Sequence, residues 1–517
     1  MATPSLAMIP SAYADSKVYS VLPNNGDGDF TFNRDSSATR VGQNGLIQEV
    51  GFFGNELVTN GDFATDSDWT KPTGATISGG FLNLSGVVNG QNTFQSSSIV
   101  VGKTYKATFT ISNWIAGGLR ILIGATGTTP PRTTNGTFTI TVNAALDTVI
   151  YLQALGTTTL KIDNVSVKEV LGDQPRLNYD ISNGVVQSCP SLLLEPASTN
   201  LVSNSVTGAY GNGPGSELIT TAPDGTNTAI IPIPNSTADR YQETINGGTY
   251  ATGTKLTYSW YSKQISVPVS TYVGNLIPQA LINVTQVGAN IKVKDSINGW
   301  AKYSATFNIT DGSLQSIIRL YFGNVIGVGN QSVAYWGHQL EALPYCTSLI
   351  PTDGSSQTRA AETCFGAGTA STFNSTEGVL YWEASALSND IGSTKVLSIS
   401  DGSNQNTLYT GYNAASNVIQ TQLLVGGVAQ TSMLHTVSDR TNFIKVAILY
   451  QNNNHKMFIN GVQVATDPNG SVPSANTFDR VNFDLGQGSF DFYGKVKDIR
   501  VYNEALTDAQ LQTLTTL

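Results

Sequence analysis

Apolar and polar residues alternate along most of the chain. The alternation is clearest in KATFTIS at 106–112, GTFTITV at 136–142, KLTYSWYSK at 255–263, KYSATFNI at 302–309 and NFIKVAIL at 442–449. A period of two residues is typical of half-buried strands, and Gly, Asn and Asp turns separate these runs at short intervals. Only the end of the chain predicts a helix, because Thr507 and Gln510 form a capping-box pattern beside a short apolar stripe. The pattern predicts an all-β chain with a short C-terminal helix.

Two parts of the chain repeat the same outline. The first runs from LVTNGDF at 57–63 to KIDNVSVKEV at 161–170, and the second runs from NLVSNS at 200–205 to VAYWGHQLEAL at 333–343. Each part opens with an apolar strand and a turn, contains one strand with a Trp, and closes with an alternating strand that ends in acidic residues. This outline predicts a jelly-roll sandwich that is used twice in tandem.

The first of these sandwiches interrupts a segment that resumes later. The residues that stop near Val50 are continued by the residues that start near 175. Domain insertion is tolerated at exposed turns where the chain ends lie close together. The alternative is a separate short linker at each place. The predicted domains are an N-terminal attachment module at 1–52 that continues at 171–198, an inserted jelly roll at 53–170, a second jelly roll at 199–352, a linker at 353–370 and a C-terminal sandwich at 371–517.

The composition excludes several classes of protein. Charged residues make up 12% of the chain, about half of what is usual in soluble domains. With a net charge of −9 and no basic run, nucleic acid is not an expected partner. No apolar stretch reaches the ~18 residues that a membrane span requires, so no membrane insertion is expected. Lys and Arg are absent before Lys17, and Pro4 and Pro10 interrupt any apolar region, so no signal peptide is predicted.

Four phrases carry a family resemblance. They are the stretch SKVYSV to LIQEV at 16–50, PRLNYD at 175–180, CPSLLLEPASTNLV at 189–202 and SLIPTDGSSQTRAAE at 348–362. Together they resemble a recurrent framework of bacteriophage structural proteins of the tail-fibre, head-fibre or appendage type. In that framework the second phrase often follows the first directly, which favours the insertion. The resemblance implies a virion location after assembly in the host cytoplasm, other virion proteins as partners and a homo-oligomer, with a trimer as the guess.

Two further resemblances concern the sandwiches. NGDFATDSDW at 60–69 and IDNVSV at 162–167 resemble the start and the end of carbohydrate-binding modules of the jelly-roll type. EGVLYWEAS at 377–385, the stretch KVAILY to GVQVAT at 445–466 and GKVKDIRVYNEALTDAQLQTL at 494–514 are similar to the laminin-G/concanavalin A-like sandwich. Both resemblances imply a fold, and they imply a ligand only by analogy, because many such domains are structural.

The jelly-roll resemblance suggests a metal site. In these modules a structural calcium ion often ties the N-terminal turn to the last strand, and Asp62 and Asp163 match those two places. Calcium takes six to eight oxygen ligands, and carboxylates are prominent among them. The alternative is that Asp62 stabilises a turn and Asp163 caps a strand end. No other cofactor is expected.

Sugar binding requires an aromatic face together with amides or carboxylates for the hydroxyl groups. Trp260 and Trp382 lie inside alternating strands, where a core position is expected. Trp69 and Trp300 lie in turn-rich contexts, DSDWTKP and SINGWAKY, which favour exposure. These two residues are the candidate ligand-binding side chains.

No catalytic residue is predicted. A glycosidase on the concanavalin-like fold needs paired carboxylates, and the strand YWEASAL offers Glu383 alone. The three cysteines, Cys189, Cys346 and Cys364, are expected to be isolated thiols, with a Cys346–Cys364 bridge as the alternative.

The sequence therefore predicts a virion structural protein of a fibre or surface appendage. We expect it to attach to the particle and to contribute to adhesion to host surface glycans, without enzyme activity. A purely structural role is an alternative. A glycan-degrading tail enzyme would need clustered carboxylates, and a secreted bacterial adhesin would need a signal peptide.

Overall fold

The computed structural model consists mainly of antiparallel strands. It describes residues 2–51, 53–125, 131–144, 146–171, 174–206, 215–234, 241–246, 250–265, 277–282, 284–311, 317–322 and 333–517. Among these described residues, one 3-10 turn spans Ile297–Gly299, and the α-helix Asp508–Thr515 follows the last strand. Thr507 and Gln510 form the predicted capping box at the start of that helix. The all-β fold with a C-terminal helix is confirmed. Within the described ranges, no helix is long and apolar enough to cross a membrane.

The first sandwich is built on two very long strands. Thr104–Ile123 and Val149–Val170 pair antiparallel over most of their length, with irregularities between Ser112 and Gly118. The first half of Val149–Val170 pairs with Asn92–Ser96, and its second half pairs with Phe81–Val87. The other strands of this sheet are Phe53–Glu56, Ala75–Ser78 and Gly136–Asn143. The sandwich encloses a hydrophobic core of its own.

The two ends of this sandwich are neighbours in space. Phe53 is the cross-strand partner of Val170, and Glu56 is the partner of Lys168. A domain whose first and last strands pair in this way adds little strain to the chain that hosts it. The geometry suits an inserted domain, although the predicted domain limits themselves stay a prediction.

In the described part of the second sandwich there are a six-stranded and a three-stranded sheet. The six-stranded sheet comprises Gly215–Thr220, Ala229–Pro234, Val333–Glu341, Lys255–Gln264, Ala301–Ile309 and Val284–Asp295, in that order. The three-stranded sheet comprises Tyr241–Asn246, Ile317–Phe322 and Ile277–Ile282. Trp260 is fully buried here against Tyr258 and Tyr303, as predicted from its alternating strand.

The C-terminal sandwich packs an eight-stranded sheet against a five-stranded sheet. The five-stranded sheet runs in the order Val428–Thr436, Val418–Val425, Thr407–Tyr412, Lys395–Ser400, Arg480–Asn482. The eight-stranded sheet includes Gly494–Tyr502, Glu377–Ala386, Ile444–Gln451, His455–Ile459 and Val462–Asp467. Trp382 is fully buried between the two sheets, as predicted.

Strands from outside 371–517 complete the eight-stranded sheet. Leu6–Met8 and Ser191–Leu194 both pair with Gly494–Tyr502, and Arg176–Asn178 pairs with Ser191–Leu194. These additions cover an edge that would otherwise present unpaired backbone groups. The C-terminal sheet therefore depends on residues from the beginning and the middle of the chain.

Short strands join the remaining segments. They are Tyr13–Ala14, Lys17–Val18, Phe30–Asn33 and Thr363–Phe365 in one sheet, and the pairs Ala38–Val41 with Ile47–Val50, Ile181–Ser182 with Val185–Val186, and Ser198–Asn200 with Gln357–Arg359. The three cysteines are free, and Cys364 is buried opposite Phe32.

A buried cluster of five charged side chains lies where these segments meet. We call Arg34, Arg176, Arg359, Glu195 and Glu362 the ion cluster, and each of these side chains is at most 3% exposed. Glu362 accepts from Arg34 at 2.8 Å and from Arg176 at 2.8 Å. Glu195 lies 2.8 Å from Arg176 and 3.0 Å from Arg359. Each of the four phrases that resemble the phage framework contributes to this cluster.

Backbone carbonyls accept further hydrogen bonds from the cluster, although the buried Nε of Arg359 has no hydrogen-bond partner among the described residues. Arg34 donates to the carbonyl oxygens of Ser36 and Gln174 at 2.7 and 2.9 Å, and Arg176 donates to the Thr39 carbonyl at 2.9 Å. Burying charges costs several kcal/mol per ion, and only near-complete hydrogen bonding offsets that cost. Removal of one member therefore leaves its partners buried and uncompensated.

We expect deletion of residues 55–170, with Gly54 joined to Leu171, to leave the remainder folded. The reason is that the Phe53 and Val170 backbones already lie side by side, so the new junction closes without a long loop. Circular dichroism should show a cooperative thermal transition for the shortened protein. Loss of soluble expression, or a broad transition without cooperativity, would contradict the insertion.

We expect Glu362→Gln to destabilise the protein by about 3–5 kcal/mol, because Arg34 and Arg176 would then share an uncompensated buried charge. Urea unfolding measures the change. Lys456→Gln, which breaks the surface pair with Asp508, is the control and should cost about 0–1 kcal/mol. Equal effects of the two variants would contradict a structural role for the cluster.

The same cluster predicts a dependence of stability on pH. Burial opposes ionisation of Glu362, but its contacts with Arg176 and Arg34 outweigh burial and lower its pKa. Because the pKa of Glu362 is lower in the folded state than in the unfolded state, where it is about 4.3, ionised Glu362 stabilises the fold above about pH 4.3. This stabilisation is lost as the pH falls from that value through the folded pKa. The stability of Glu362→Gln should therefore fall less steeply than that of the wild type below about pH 4.3.

Candidate functional site

The Asn60-Gly61-Asp62 turn packs directly on the last strand of the first sandwich. The Val165 amide donates to the Gly61 carbonyl at 2.8 Å, and a Cβ on Gly61 would overlap the Val165 carbonyl. Only glycine allows this close approach. Asp163 lies two residues before Val165 on that strand. The structure therefore brings the two segments that carry Asp62 and Asp163 together.

The two carboxylates make local contacts. Asp62 Oδ1 accepts from the Ala64 amide at 3.3 Å, and Asp163 Oδ1 accepts from the Asn164 amide at 2.7 Å. No group of three or more His, Cys, Asp or Glu side chains in the described part of the chain is placed to hold a metal ion. Backbone and amide oxygens and water would have to supply the other ligands of a calcium ion. The calcium site stays a prediction.

Trp69 and Trp300 are buried, and the expectation that they are exposed is wrong. Trp69 is 6% exposed, packs against Phe63 at a ring distance of 5.6 Å, and donates from its indole nitrogen to the Asn60 carbonyl at 3.1 Å. Trp300 is 2% exposed in a hydrophobic cluster that includes Tyr261. In both turns the indole is the apolar anchor that holds the loop on the sandwich, so neither ring offers a free face to a sugar.

A polar surface lies on the outer side of the five-stranded sheet. We call Tyr409, Asn413, Gln420, Gln422 and Ser432 the amide face; Gln420 is only 9% exposed, and its cross-strand partner Leu434 is an exposed apolar residue of the same face. Tyr409 pairs with Gln422 across the strands, and Gln422 pairs with Ser432 on the next strand. The Tyr409 hydroxyl donates to Gln422 at 2.5 Å, and the Asn413 amide donates to Gln420.

The amide face has the groups that sugar recognition requires. It combines one aromatic ring with hydroxyl and amide groups that both donate and accept hydrogen bonds. The outer side of the eight-stranded sheet differs, since Leu511 and Leu514 of the C-terminal helix pack there with Tyr381 and Phe458. The sequence reading missed this face, although the alternation in TLYTGY and VIQTQLLV places Tyr409 and the two glutamines on one side of their strands.

Glu383 has a carboxylate neighbour that the sequence did not reveal. It pairs across the strands with Asp498 on one side and with Lys445 on the other. Burial raises the pKa of Asp498, although Arg500 donates to both of its oxygens at 3.1 and 2.6 Å. Two paired carboxylates are the minimum for a glycosidase. Here Lys445 lies across the strands from Glu383 and Arg500 donates to Asp498, so each carboxylate has a cation beside it.

The comparisons bear on the C-terminal sandwich. Residues 384–512 match the model of the family described as the Concanavalin A-like lectin/glucanases superfamily. This sandwich is a laminin-G/concanavalin A-like domain. Lectins and glucanases are both named in that description and share one fold. The match therefore identifies the fold of these residues but does not distinguish glycan binding from glycan cleavage. No curated protein matches the chain.

Several solved β-sandwiches overlap parts of the chain. The CBM40 domain of the Ruminococcus gnavus IT-sialidase is 20% identical, over 28% of this chain and 84% of that one, with a TM-score of 0.24. A pentraxin from Limulus polyphemus is 14% identical, over 27% and 70%, with a TM-score of 0.22. The CBM22 tandem of Paenibacillus barcinonensis Xyn10C is 11% identical, over 57% and 98%, with a TM-score of 0.19. Sequence identities and TM-scores this low support no conclusion about function.

If Asp62 and Asp163 share a calcium ion, a chelator should lower the melting temperature of the full chain, because binding to the folded state alone is stabilising. Asp163→Ala should remove that response. Asp66→Ala, which changes an exposed carboxylate in the same loop, is the matched control and should keep it. A melting temperature that chelator leaves unchanged would rule out the ion and leave the turn and cap contacts as the explanation.

Proposed function

We propose that this chain is a non-catalytic surface protein of a virion that contacts host glycans through its C-terminal sandwich. The amide face carries this proposal, because it presents an aromatic ring and convergent amide and hydroxyl groups on a lectin-like fold. Its groups match the alternating hydroxyl and apolar surfaces of a sugar ring. The phage and virion part of the proposal is supported by the resemblance of the four framework phrases.

Weak individual contacts are enough for such a role. The amide face is an open sheet surface, and an open surface buries less of a ligand than a closed pocket does. Several linked copies raise avidity by ~10²–10⁴ without any new contact. A homo-oligomer, with a trimer as our working choice, would supply these copies, and the N-terminal module would attach them to other virion proteins.

One observation favours a second candidate, glycan cleavage. Glu383 and Asp498 are cross-strand neighbours, and the pKa of Asp498 is raised by burial. A glycosidase also needs one carboxylic acid that is protonated and free to meet the leaving group. Arg500 donates to both carboxylate oxygens of Asp498, which favours the ionised form and occupies the oxygens that a leaving group would need. We therefore favour binding without cleavage.

We expect purified protein, displayed in multiple copies, to bind host capsular or surface polysaccharide. Tyr409→Ala should weaken binding roughly two- to tenfold, because an aromatic contact contributes ~0.5–1.5 kcal/mol. Gln463→Ala, an exposed glutamine on the other sheet of the same sandwich, is the matched control. Surface plasmon resonance measures both variants, and equal weakening by the two would contradict the amide face.

The same preparation should release no reducing ends from the polysaccharide over long incubation. Measurable depolymerisation that Glu383→Gln abolishes would replace the proposal with the enzyme. Absence of both binding and cleavage would leave a purely structural protein.

A further inference from the structure

A polar cavity of about 550 Å³ lies in the N-terminal module. The strand Arg176–Asn178 contributes Leu177 to its lining, and the strand Ala38–Val41 contributes Arg40. The walls are formed by side chains that carry hydroxyl, amide or guanidinium groups. These side chains are Tyr13, Arg40, Gln43, Asn44, Gln48 and Tyr179.

Backbone pairing fixes the arrangement of the cavity. Arg40 and Gln48 are cross-strand partners, so their side chains share one face of the hairpin. On the neighbouring segment, the Tyr179 amide donates to the Val41 carbonyl at 3.0 Å. The side chain of Asn178 accepts from the Val41 amide, also at 3.0 Å. Arg40, Gln48 and Tyr179 therefore stand on this paired base, whereas Gln43 and Asn44 lie in the turn between the two strands of the hairpin.

Arg40 is the charged group of the cavity. Its guanidinium lies 5.7 Å from the centre of the Tyr13 ring, and it donates to the Tyr13 hydroxyl at 3.3 Å. Its Nε is buried and has no hydrogen-bond partner among the described residues. In the same part of the chain, Arg34, Arg176 and Arg359 each pair with a glutamate. Within the described ranges, Arg40 makes no such ion pair.

We propose that this cavity binds an acidic saccharide whose carboxylate pairs with Arg40. A guanidinium presents parallel N–H donors that fit a carboxylate in a bidentate contact. Gln48 already donates to the Asn44 side chain at 3.3 Å, and the Gln43 amide, the remaining polar atoms of Asn44 and Gln48 and the Tyr179 hydroxyl supply donors and acceptors for the sugar hydroxyls. The volume lies in the range of cavities that hold small organic ligands.

The lining favours a saccharide over other anions. A small inorganic anion fills only a fraction of this volume and leaves the amides unused. A peptide carboxylate would bring apolar side chains or a backbone that need apolar pockets or a free strand edge. Here Leu177 and the rings of Tyr13 and Tyr179 supply apolar surface, and every lining side chain except Leu177 ends in a polar group. A hydroxyl-rich ring with one carboxylate fits this mixture.

Isothermal titration calorimetry with the full chain tests the proposal. The probes are a disaccharide of galacturonic acid and the neutral galactose disaccharide. We expect the acidic probe to bind at least tenfold more tightly than the neutral probe, and added salt should reduce the difference. Arg40→Gln should abolish the preference, and Arg40→Lys should keep part of it, because a lysine retains the charge but not the bidentate geometry.

Arg120→Gln is the matched control. It removes the same charge from a half-buried arginine of the first sandwich that pairs with Gln153, and it should leave the preference unchanged. Thermal melts verify that each variant is folded. The proposal is overturned if the wild type binds neither disaccharide, if Arg40→Gln retains the preference, or if an Asp-rich peptide binds more tightly than the acidic disaccharide.

The cavity and the amide face are tested separately. Tyr409→Ala should leave binding of the acidic disaccharide unchanged, and Arg40→Gln should leave Tyr409-dependent binding of polysaccharide unchanged. Failure of one site therefore leaves the result for the other intact.

Discussion

The ion cluster of Arg34, Arg176, Arg359, Glu195 and Glu362 ties together segments that lie hundreds of residues apart in the chain. Because each charge is buried, each needs its partners, and loss of one member leaves a buried charge uncompensated. The N-terminal module, the 171–198 segment and the linker before the C-terminal sandwich are thereby held in one arrangement. The strands that these segments add to the eight-stranded sheet extend the same dependence to the C-terminal domain.

This scaffold also determines where ligands can be held. The Thr39 carbonyl accepts from Arg176 of the cluster, and the next residue, Arg40, lines the polar cavity. Arg40 is therefore positioned by a part of the structure that cannot shift without breaking buried ion pairs. A binding group that stands on such a rigid base loses little conformational freedom when it meets its ligand. Tyr409, Gln420 and Gln422 of the amide face have a comparable base, since they project from two inner strands of a sandwich whose core includes Trp382.

Much of the local structure could be predicted from the residues themselves. Alternation identified strands and placed Trp260 and Trp382 in cores, and the Thr507–Gln510 pattern gave the C-terminal helix cap. The same local reasoning failed at Trp69 and Trp300. A turn-rich context describes the backbone around an indole but not the surface beneath it, and in both turns that surface is an apolar core.

The sequence by itself therefore determined the strand period, the helix cap, the all-β class and the phrases that contain the charged residues. Only the tertiary structure decided that Glu383 stands opposite Asp498, that five distant charges form one cluster, and that Arg40 faces a cavity without an acidic partner in the described residues. The physical reason is that a strand's side-chain pattern records which face is buried, whereas its neighbours are chosen by contacts between residues far apart in the chain. Charge pairing and cavity shape arise from those distant contacts, so no short stretch of the sequence contains them.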